Sequence, residues 1–179
     1  MHGSIFFELR KYVDAALGPA VWEELLREVG LEKMFLPLNS YPDAELMALV
    51  SAVATRTSLP VQGILEGFGT FIAPSLLNMH RALIKPGWRT LDVIEHTEST
   101  IHRVVRLTNG GAEPPRLVTH RAGANEVVIV YSSPRKMCAV VKGIALGLAG
   151  QFNERISVAE SSCQLNGAAA CIITVRSGT

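Results

Sequence analysis

The chain has 179 residues, of which 48% are hydrophobic and 18% charged, and its formal net charge is +1. This composition excludes an intrinsically disordered chain, and the near-neutral charge argues against nonspecific binding to nucleic acid or to a membrane surface. With three cysteines and no apolar run near the roughly 20 residues of a membrane span, the sequence predicts a cytoplasmic domain whose core needs no disulfides.

The first half of the sequence predicts helices. Apolar residues recur every three or four positions, as in helices that bury one face, and Gly or Pro residues separate the segments. Helices are predicted over 4–17, before Gly30, from Pro42, from Pro60, in a short piece at 75–83, and over 91–108 with Thr90 as the cap. Gly67 and Gly69 fall inside the fourth helix, so we expect close packing there rather than a phosphate-binding loop.

The second half changes to strand periodicity after Asn109-Gly110-Gly111, which breaks the last helix. Strands are predicted at 116–120 and 126–132 around Ala122-Gly123, followed by a helix from Pro134 to about Phe152 and a hairpin of 155–164 and 168–176 around Asn166-Gly167. Helices followed by a four-stranded antiparallel sheet, crossed by one long helix, define an α+β fold. We expect one domain over residues 1–179.

Catalytic motifs are missing from the sequence. It has no G-x-S-x-G nucleophile turn, no H-E-x-x-H zinc motif, no P-loop and no dinucleotide-binding glycine pattern after a strand. Its five histidines and 16 acidic residues show no local spacing that indicates a reacting pair. We therefore expect a protein that is not an enzyme.

His102 is the most informative histidine, because it lies beside the apolar stripe of the helix predicted over 91–108. A neutral imidazole at the edge of an apolar pocket suits axial coordination of a haem iron. The alternative is a boundary histidine whose ring binds a backbone carbonyl. The spacing alone leaves both interpretations open.

The segment Tyr131-Ser132-Ser133-Pro134-Arg135 is the second informative feature. Strand alternation places Tyr131 and Ser133 on one face, and Pro134 turns the chain so that Arg135 reaches the same side. Two hydroxyls and a guanidinium suit carboxylates, because Arg binds them through paired hydrogen bonds. The alternative is a pair of strand-end hydroxyls beside a surface arginine.

Taken together, these residues resemble the haem nitric oxide/oxygen-binding (H-NOX) family, which is also the haem domain of soluble guanylate cyclases. The resemblance rests on a helical His102, then Pro114-Pro115-Arg116, then Tyr131-x-Ser133-x-Arg135 in this order, and it extends from Met1-His2-Gly3 to the strand at 156–158. It implies a helical distal lobe at about 1–88 and a proximal α/β lobe at about 89–179, with haem b between them.

The resemblance also implies roles for individual residues. His102 matches the iron ligand, and Pro115 matches a proline that presses on the porphyrin. The residues that match the propionate-binding positions are Tyr131, Ser133 and Arg135. The residues expected to line the distal side are Ile5, Leu9, Val140 and Ile144.

The side chains on the distal side bear on which gas the haem would bind. Bound O2 benefits from a hydrogen-bond donor, which NO and CO need less. Family members that hold O2 stably have a tyrosine where this chain has Val140, and neither Leu9 nor Pro74 can donate from its side chain. The resemblance therefore implies an NO and CO sensor that excludes O2. NO would weaken the bond between iron and His102 and shift the lobes, and a partner such as a histidine kinase or a cyclic-di-GMP enzyme would respond.

The three cysteines suggest a zinc site. Cys163 and Cys171 flank the Asn166-Gly167 turn, Cys138 lies on the long helix, and three thiolates can bind zinc together with a fourth ligand. Some H-NOX proteins have a histidine as that ligand, where this chain has Glu160. Three buried thiols, or one disulfide and a free cysteine, are the alternatives. A second functional interpretation is a haem-independent zinc/thiol redox module with an apolar ligand cavity.

Overall fold

The structure is a computed structural model that describes residues 1–31, 33–108 and 113–178. Its helices are α1 (Gly3–Leu17), α2 (Val21–Glu28), α3 (Asp43–Thr57), α4 (Val61–Met79), α5 (Thr90–His96), α6 (Arg103–Thr108) and α7 (Cys138–Gln151). Its strands are β1 (Arg116–Gly123), β2 (Glu126–Ser132), β3 (Ile156–Ser162) and β4 (Cys171–Ser177). A π-helical segment, Glu98–His102, joins α5 to α6, and 3-10 turns lie at Arg81–Leu83 and Gln164–Asn166. These elements confirm the α+β class.

The four strands form one antiparallel sheet in the order β1-β2-β4-β3, which confirms the predicted sheet. Side chains alternate between the faces, so Val127, Ile129 and Tyr131 are buried while the residues between them are not. Their partners across β4 are Val175, Ile173 and Cys171. Helices α5 and α7 pack against this sheet, and the register places Tyr131 next to Cys171.

Helices α4 and α7 approach so closely that glycines at their contact have no room for a side chain. A Cβ atom on Gly69 would lie 2.3 Å from the carbonyl oxygen of Val140, and one on Gly143 would lie 2.0 Å from that of Glu66. Both distances are far shorter than a van der Waals contact. Gly69 therefore serves helix packing, in agreement with the prediction from its place inside a helix.

Replacing Gly143 by Ala is expected to destabilise the protein by about 1–3 kcal/mol, the usual range for overpacking. The added methyl group would meet the Glu66 carbonyl, which belongs to helix backbone and cannot turn away. Gly150→Ala on the same helix is the control, because a Cβ there meets no atom within 4 Å and Ala is the better helix former. Urea unfolding measures both variants, and equal losses of stability would contradict the close approach.

Buried side chains form two adjoining clusters. The first comes mainly from α1–α4 and includes Phe6 and Leu9. The second comes mainly from α5, α7 and the sheet and includes Ile129 and Ile173. Ile144 of α7 packs against both clusters. Among the described residues, no helix combines the length and the apolar character that a membrane span requires.

The helix predicted over 91–108 is divided into α5, the π-helical segment and α6. The prediction that Thr90 caps it was wrong, because Thr90 is the fully buried first residue of α5 and Arg89 is the cap. The carboxylate of Glu154 accepts the Thr90 backbone N–H at 3.0 Å, so a residue far away in sequence satisfies this helix end. The helix break predicted at 109–111 lies outside the described residues.

Other elements differ from the prediction in where they begin or end. Helix α4 continues through Pro74 to Met79, because packing against α7 supports it, and the separate piece predicted at 75–83 is reduced to a 3-10 turn. Helix α7 begins only at Cys138, since Lys136 has a φ of 51°, outside the helical region. Arg135 therefore precedes the helix. Strand β1 extends to Gly123, beyond its predicted end.

Candidate haem and metal sites

His102 is the last residue of the π-helical segment, where its backbone N–H donates to the Thr97 carbonyl at 2.9 Å. Such π-turns occur often at functional sites. The His102 side chain is 14% exposed, and its Nδ1 lies 2.8 Å from Oε2 of Glu98. Burial lowers the pKa of His102, and hydrogen bonds to Glu98 and to the Pro115 backbone offset only part of that shift. The imidazole is therefore neutral at pH 7 and keeps one lone pair for a metal.

Two further titratable groups lie close to His102. Burial acts to raise the pKa of Glu98, but hydrogen bonds from His102, Arg106 and the Leu117 backbone outweigh it and leave this pKa below its usual value. His80, which follows α4, is half-buried, and its pKa is lowered by burial and by the nearby His102. An ionised carboxylate beside a neutral imidazole is the arrangement that orients histidine ligands in metal sites.

Tyr131, Ser133 and Arg135 lie together in the structure. The Tyr131 and Ser133 side chains are buried, and burial raises the pKa of Tyr131. The Met137 backbone N–H donates to the Tyr131 hydroxyl at 3.0 Å, and the Arg135 backbone N–H donates to Ser133 Oγ at 3.2 Å. The Tyr131 and Ser133 side chains are thus both buried on one side, as strand alternation predicts, and the backbone of Arg135 contacts one of their hydroxyls.

The Arg135 guanidinium already binds carboxylate groups of the chain. Its Nε donates to Asp43 Oδ2 at 2.7 Å, and its Nη2 lies 3.7 Å from Oε2 of Glu113. Burial acts to raise the pKa of Asp43, but the α-amino group of Met1 and the Arg135 guanidinium outweigh it and lower this pKa. The Arg135 side chain, 15% exposed, is therefore paired with carboxylates, the planar anions that a guanidinium binds through paired hydrogen bonds.

The residues expected on the distal side are brought together by α1 and α7. Leu9 is fully buried in the first cluster, and the half-buried members packed against it include Ile5, Val140 and Ile144. Each of these four side chains is a hydrocarbon and cannot donate a hydrogen bond. Tyr12 also packs against this cluster, with its hydroxyl beside Gly67.

The residues present fit a haem group. His102 offers a neutral, oriented imidazole for iron, and the distal residues offer an apolar surface. Haem propionates are carboxylates, the chemical group that the Arg135 guanidinium binds at Asp43. Two clefts, of about 440 and 200 Å³, lie elsewhere, beside Phe6 and Trp22 and beside Arg89 and Glu154. The fit therefore rests on the side chains and not on either cleft.

The three cysteines and Glu160 form a second cluster, which we call the cysteine cluster. One ligand atom from each of these residues lies within 4.8 Å of the others. The Sγ atom of Cys163 is 3.6 Å from that of Cys138 and 3.9 Å from that of Cys171, so the cysteines are reduced thiols. Burial is the largest cause that raises the pKa of Cys138 and of Cys171.

The cysteine cluster has the dimensions of a zinc site. Zinc–sulfur bonds of about 2.3 Å place tetrahedral thiolates about 3.8 Å apart, close to the two sulfur–sulfur separations of 3.6 and 3.9 Å. Oε1 of Glu160 is buried with no hydrogen-bond partner among the described residues, while Oε2 accepts from Lys142 Nζ at 3.1 Å. A buried, unpartnered carboxylate oxygen beside three thiols suits a cation.

Two residues of these sites escaped the sequence interpretation. Glu98 precedes His102 by four positions, and this spacing on a helix was the signal that could have identified it. Asp43 had no local signal, because it lies 92 residues before Arg135. Only the packing of α3 against the turn before α7 brings the two together.

Comparisons with solved structures agree with the fold. A crystal structure of an H-NOX protein from S. oneidensis in the Fe(II)NO ligation state is 27% identical, with a TM-score of 0.93 and full coverage of both chains. An NMR structure of an H-NOX domain from Shewanella oneidensis in the Fe(II)CO ligation state is 27% identical, with a TM-score of 0.89 over 100% of this chain and 99% of that one.

A more distant structure supports the fold alone. The Fe(II) unliganded H-NOX protein from K. algicida is 18% identical, with a TM-score of 0.86, and the match covers 100% of this chain and 97% of that one. A search of curated proteins found no match. The family model described as Haem-NO-binding matches residues 2–160, which is most of the sequence. The chain therefore belongs to the H-NOX family of haem-binding gas-sensor domains.

Proposed function

We propose that this chain is a non-catalytic sensor that binds NO and CO at a haem b whose iron is ligated by His102, that it excludes O2, and that it signals to a separate protein. The observation that supports this proposal is the buried imidazole of His102, which Glu98 orients at 2.8 Å, in an H-NOX fold whose Tyr131, Ser133 and Arg135 follow one another at the end of β2 and in the turn before α7. The two S. oneidensis matches, described in NO and CO ligation states, support the choice of gases.

Each residue has a defined part in this proposal. When bound, haem supplies an iron atom with an open position for a diatomic gas. His102 binds that iron through its lone pair. Arg135, with the hydroxyls of Tyr131 and Ser133, binds the propionate carboxylates in place of Asp43. Pro115, whose backbone contacts the His102 ring, would press on the porphyrin with its side chain.

Exclusion of O2 follows from the four proposed distal side chains. Ile5, Leu9, Val140 and Ile144 are apolar, and their hydrocarbon side chains would give bound O2 no hydrogen bond. No donor then offsets the partial negative charge on bound O2, whereas NO and CO depend less on a hydrogen-bond donor.

Signalling is proposed to begin at the segment that carries His102. The side chains of α6 are half-buried or exposed, and none is buried, so little packing holds this helix in one place. If the bond between His102 and iron weakened, the segment that carries His102 would be free to move relative to β1. A histidine kinase or a cyclic-di-GMP enzyme that contacts the domain would respond to this movement.

We also propose that the cysteine cluster binds one zinc ion through Cys138, Cys163, Cys171 and Glu160. The ion would join the start of α7 to β3 and β4, and oxidation of its thiolates would release it. The separations between the sulfur atoms, and the Glu160 oxygen that has no hydrogen-bond partner among the described residues, support this proposal.

The absorption spectrum of the purified protein tests the proposed function. We expect a Soret band that shifts when NO or CO is added to the Fe(II) protein. In air, we expect the spectrum to show no stable O2 complex. A stable O2 complex would contradict the gas selectivity. A colourless protein that contains one zinc per chain would instead support a haem-independent zinc/thiol module.

Replacing Arg135 by Ala is expected to accelerate haem transfer to a scavenger apoprotein by roughly 10–100-fold, because a hydrogen bond to a charged group contributes about 1.5–3 kcal/mol. The control is Arg176→Ala, which removes an exposed arginine paired with Glu126 on the sheet. Haem loss at the wild-type rate from the Arg135 variant would contradict its assignment to the propionates.

A further inference from the structure

The Glu98 carboxylate is the point at which three parts of the protein meet. Its Oε2 lies 2.8 Å from Nδ1 of His102 and accepts the Leu117 backbone N–H at 3.2 Å. Its Oε1 accepts a hydrogen bond from Arg106 Nη2. The π-helical segment, α6 and β1 therefore share one carboxylate, whose side chain is 27% exposed. We call these contacts the Glu98 network.

The network determines which ring nitrogen of His102 remains available. A neutral imidazole has one N–H, and two acceptors compete for it: the Glu98 carboxylate and the Pro115 backbone. The ionised carboxylate is the stronger acceptor, so the proton resides on Nδ1 and Nε2 keeps the lone pair. A carboxylate that accepts from a histidine ligand also makes that ligand more basic.

The network also fixes where the ring lies. Leu117 is two residues beyond Pro115, and its N–H holds Glu98 against the beginning of β1. Arg106 holds Glu98 from the other side, on the helix that follows His102. The ring of His102 is thus positioned relative to the segment that contains Pro115, rather than by its own helix alone.

We propose that Glu98 is the positioning residue of the His102 ligand: it directs Nε2 to the haem iron, strengthens the bond between iron and His102, and connects that bond to β1. This inference rests on the proposed haem function. It also makes a statement about the chain without haem, namely that His102 carries its proton on Nδ1.

Resonance Raman spectra of the unliganded Fe(II) protein test the strength of the bond. In Glu98→Gln, which keeps the shape but not the charge, we expect the iron–histidine stretching band at lower frequency. In Arg106→Gln we expect it at higher frequency, because the Glu98 carboxylate then no longer shares its charge with the Arg106 guanidinium. A purely structural role would not move the two bands in opposite directions. An unmoved band in Glu98→Gln would overturn the proposal.

Nitrogen-15 NMR of the full chain without haem tests the proton position independently of haem binding. We expect the Nδ1–H form of His102 in the wild type and a larger share of the Nε2–H form in Glu98→Leu, because the acceptor that holds the proton on Nδ1 is then removed. Haem loss from the same variant should be roughly 10–100-fold faster than from wild type. Identical ring signals in both proteins would overturn the inference, whereas a wild type without haem would overturn only the proposed function.

Discussion

Replacing His102 by Gly is expected to abolish the Soret band of the protein as purified. The imidazole is the proposed iron ligand, and its loss should cost more than the roughly 10–100-fold that follows removal of a ligand's hydrogen-bond partner. Glycine leaves a space of the shape of the ring, so added imidazole should restore the band and its shift with NO. Absorption spectra with and without imidazole measure both effects.

The control for this variant is His96→Gly. His96 also lies on a helix near the site, but its ring packs edge-on against Trp88, 4.7 Å between centroids. Glycine in a helix lowers the stability of both variants by about 1 kcal/mol. Circular dichroism should therefore show that the two variants fold to a similar extent. His96→Gly should retain haem. An undiminished Soret band in His102→Gly, with the wild-type response to NO, would contradict the ligand assignment.

Replacing Cys163 by Ser is expected to reduce bound zinc from one ion per chain to a small fraction of that. Cys163 lies between the other two sulfur atoms, 3.6 and 3.9 Å from them, so its loss opens the site. A ligand present at about 1,000 times its dissociation constant stabilises a protein by about 4 kcal/mol. Loss of that stabilisation corresponds to a fall in Tm of roughly 8–16 °C for a chain of this size.

Elemental analysis and thermal unfolding, with and without a chelator, measure this effect. Ser161→Ala is the control, because this exposed serine on β3 neighbours the cysteine cluster without belonging to it. Glu160→His should bind zinc at least as tightly as the wild type, since imidazole is a common zinc ligand. Wild-type protein without zinc, whose Tm does not respond to a chelator, would contradict the proposal.

The sequence predicted more of the fold than of the sites. Period-two alternation in 126–132 was sufficient to place Tyr131 on the buried face, because pleating fixes that direction without reference to the rest of the chain. Thr90 shows the limit of such reasoning. Its hydroxyl matched the usual cap, but the Glu154 carboxylate takes the backbone N–H instead, and no local pattern indicates a partner so distant.

For the two candidate sites as well, the sequence indicates some features and only the structure shows the others. The identities of His102, Tyr131, Ser133, Arg135 and the three cysteines were apparent from spacing and from the resemblance to H-NOX proteins. Their present partners were not: Asp43 on Arg135 and Lys142 on Glu160 are contacts made across elements. The beginning of α7 also shifted from Pro134 to Cys138, which placed Arg135 in the preceding turn.

The sequence by itself determined the classes of element, the buried faces and the residue types able to bind iron, carboxylates or zinc, because these depend on local periodicity and side-chain chemistry. The tertiary structure decided which of those residues meet. The approach of α4 to α7 at Gly69 and Gly143, the Glu98 network and the cysteine cluster each depend on backbone positions far apart in the chain. Such positions are fixed only when the helices and the sheet pack together.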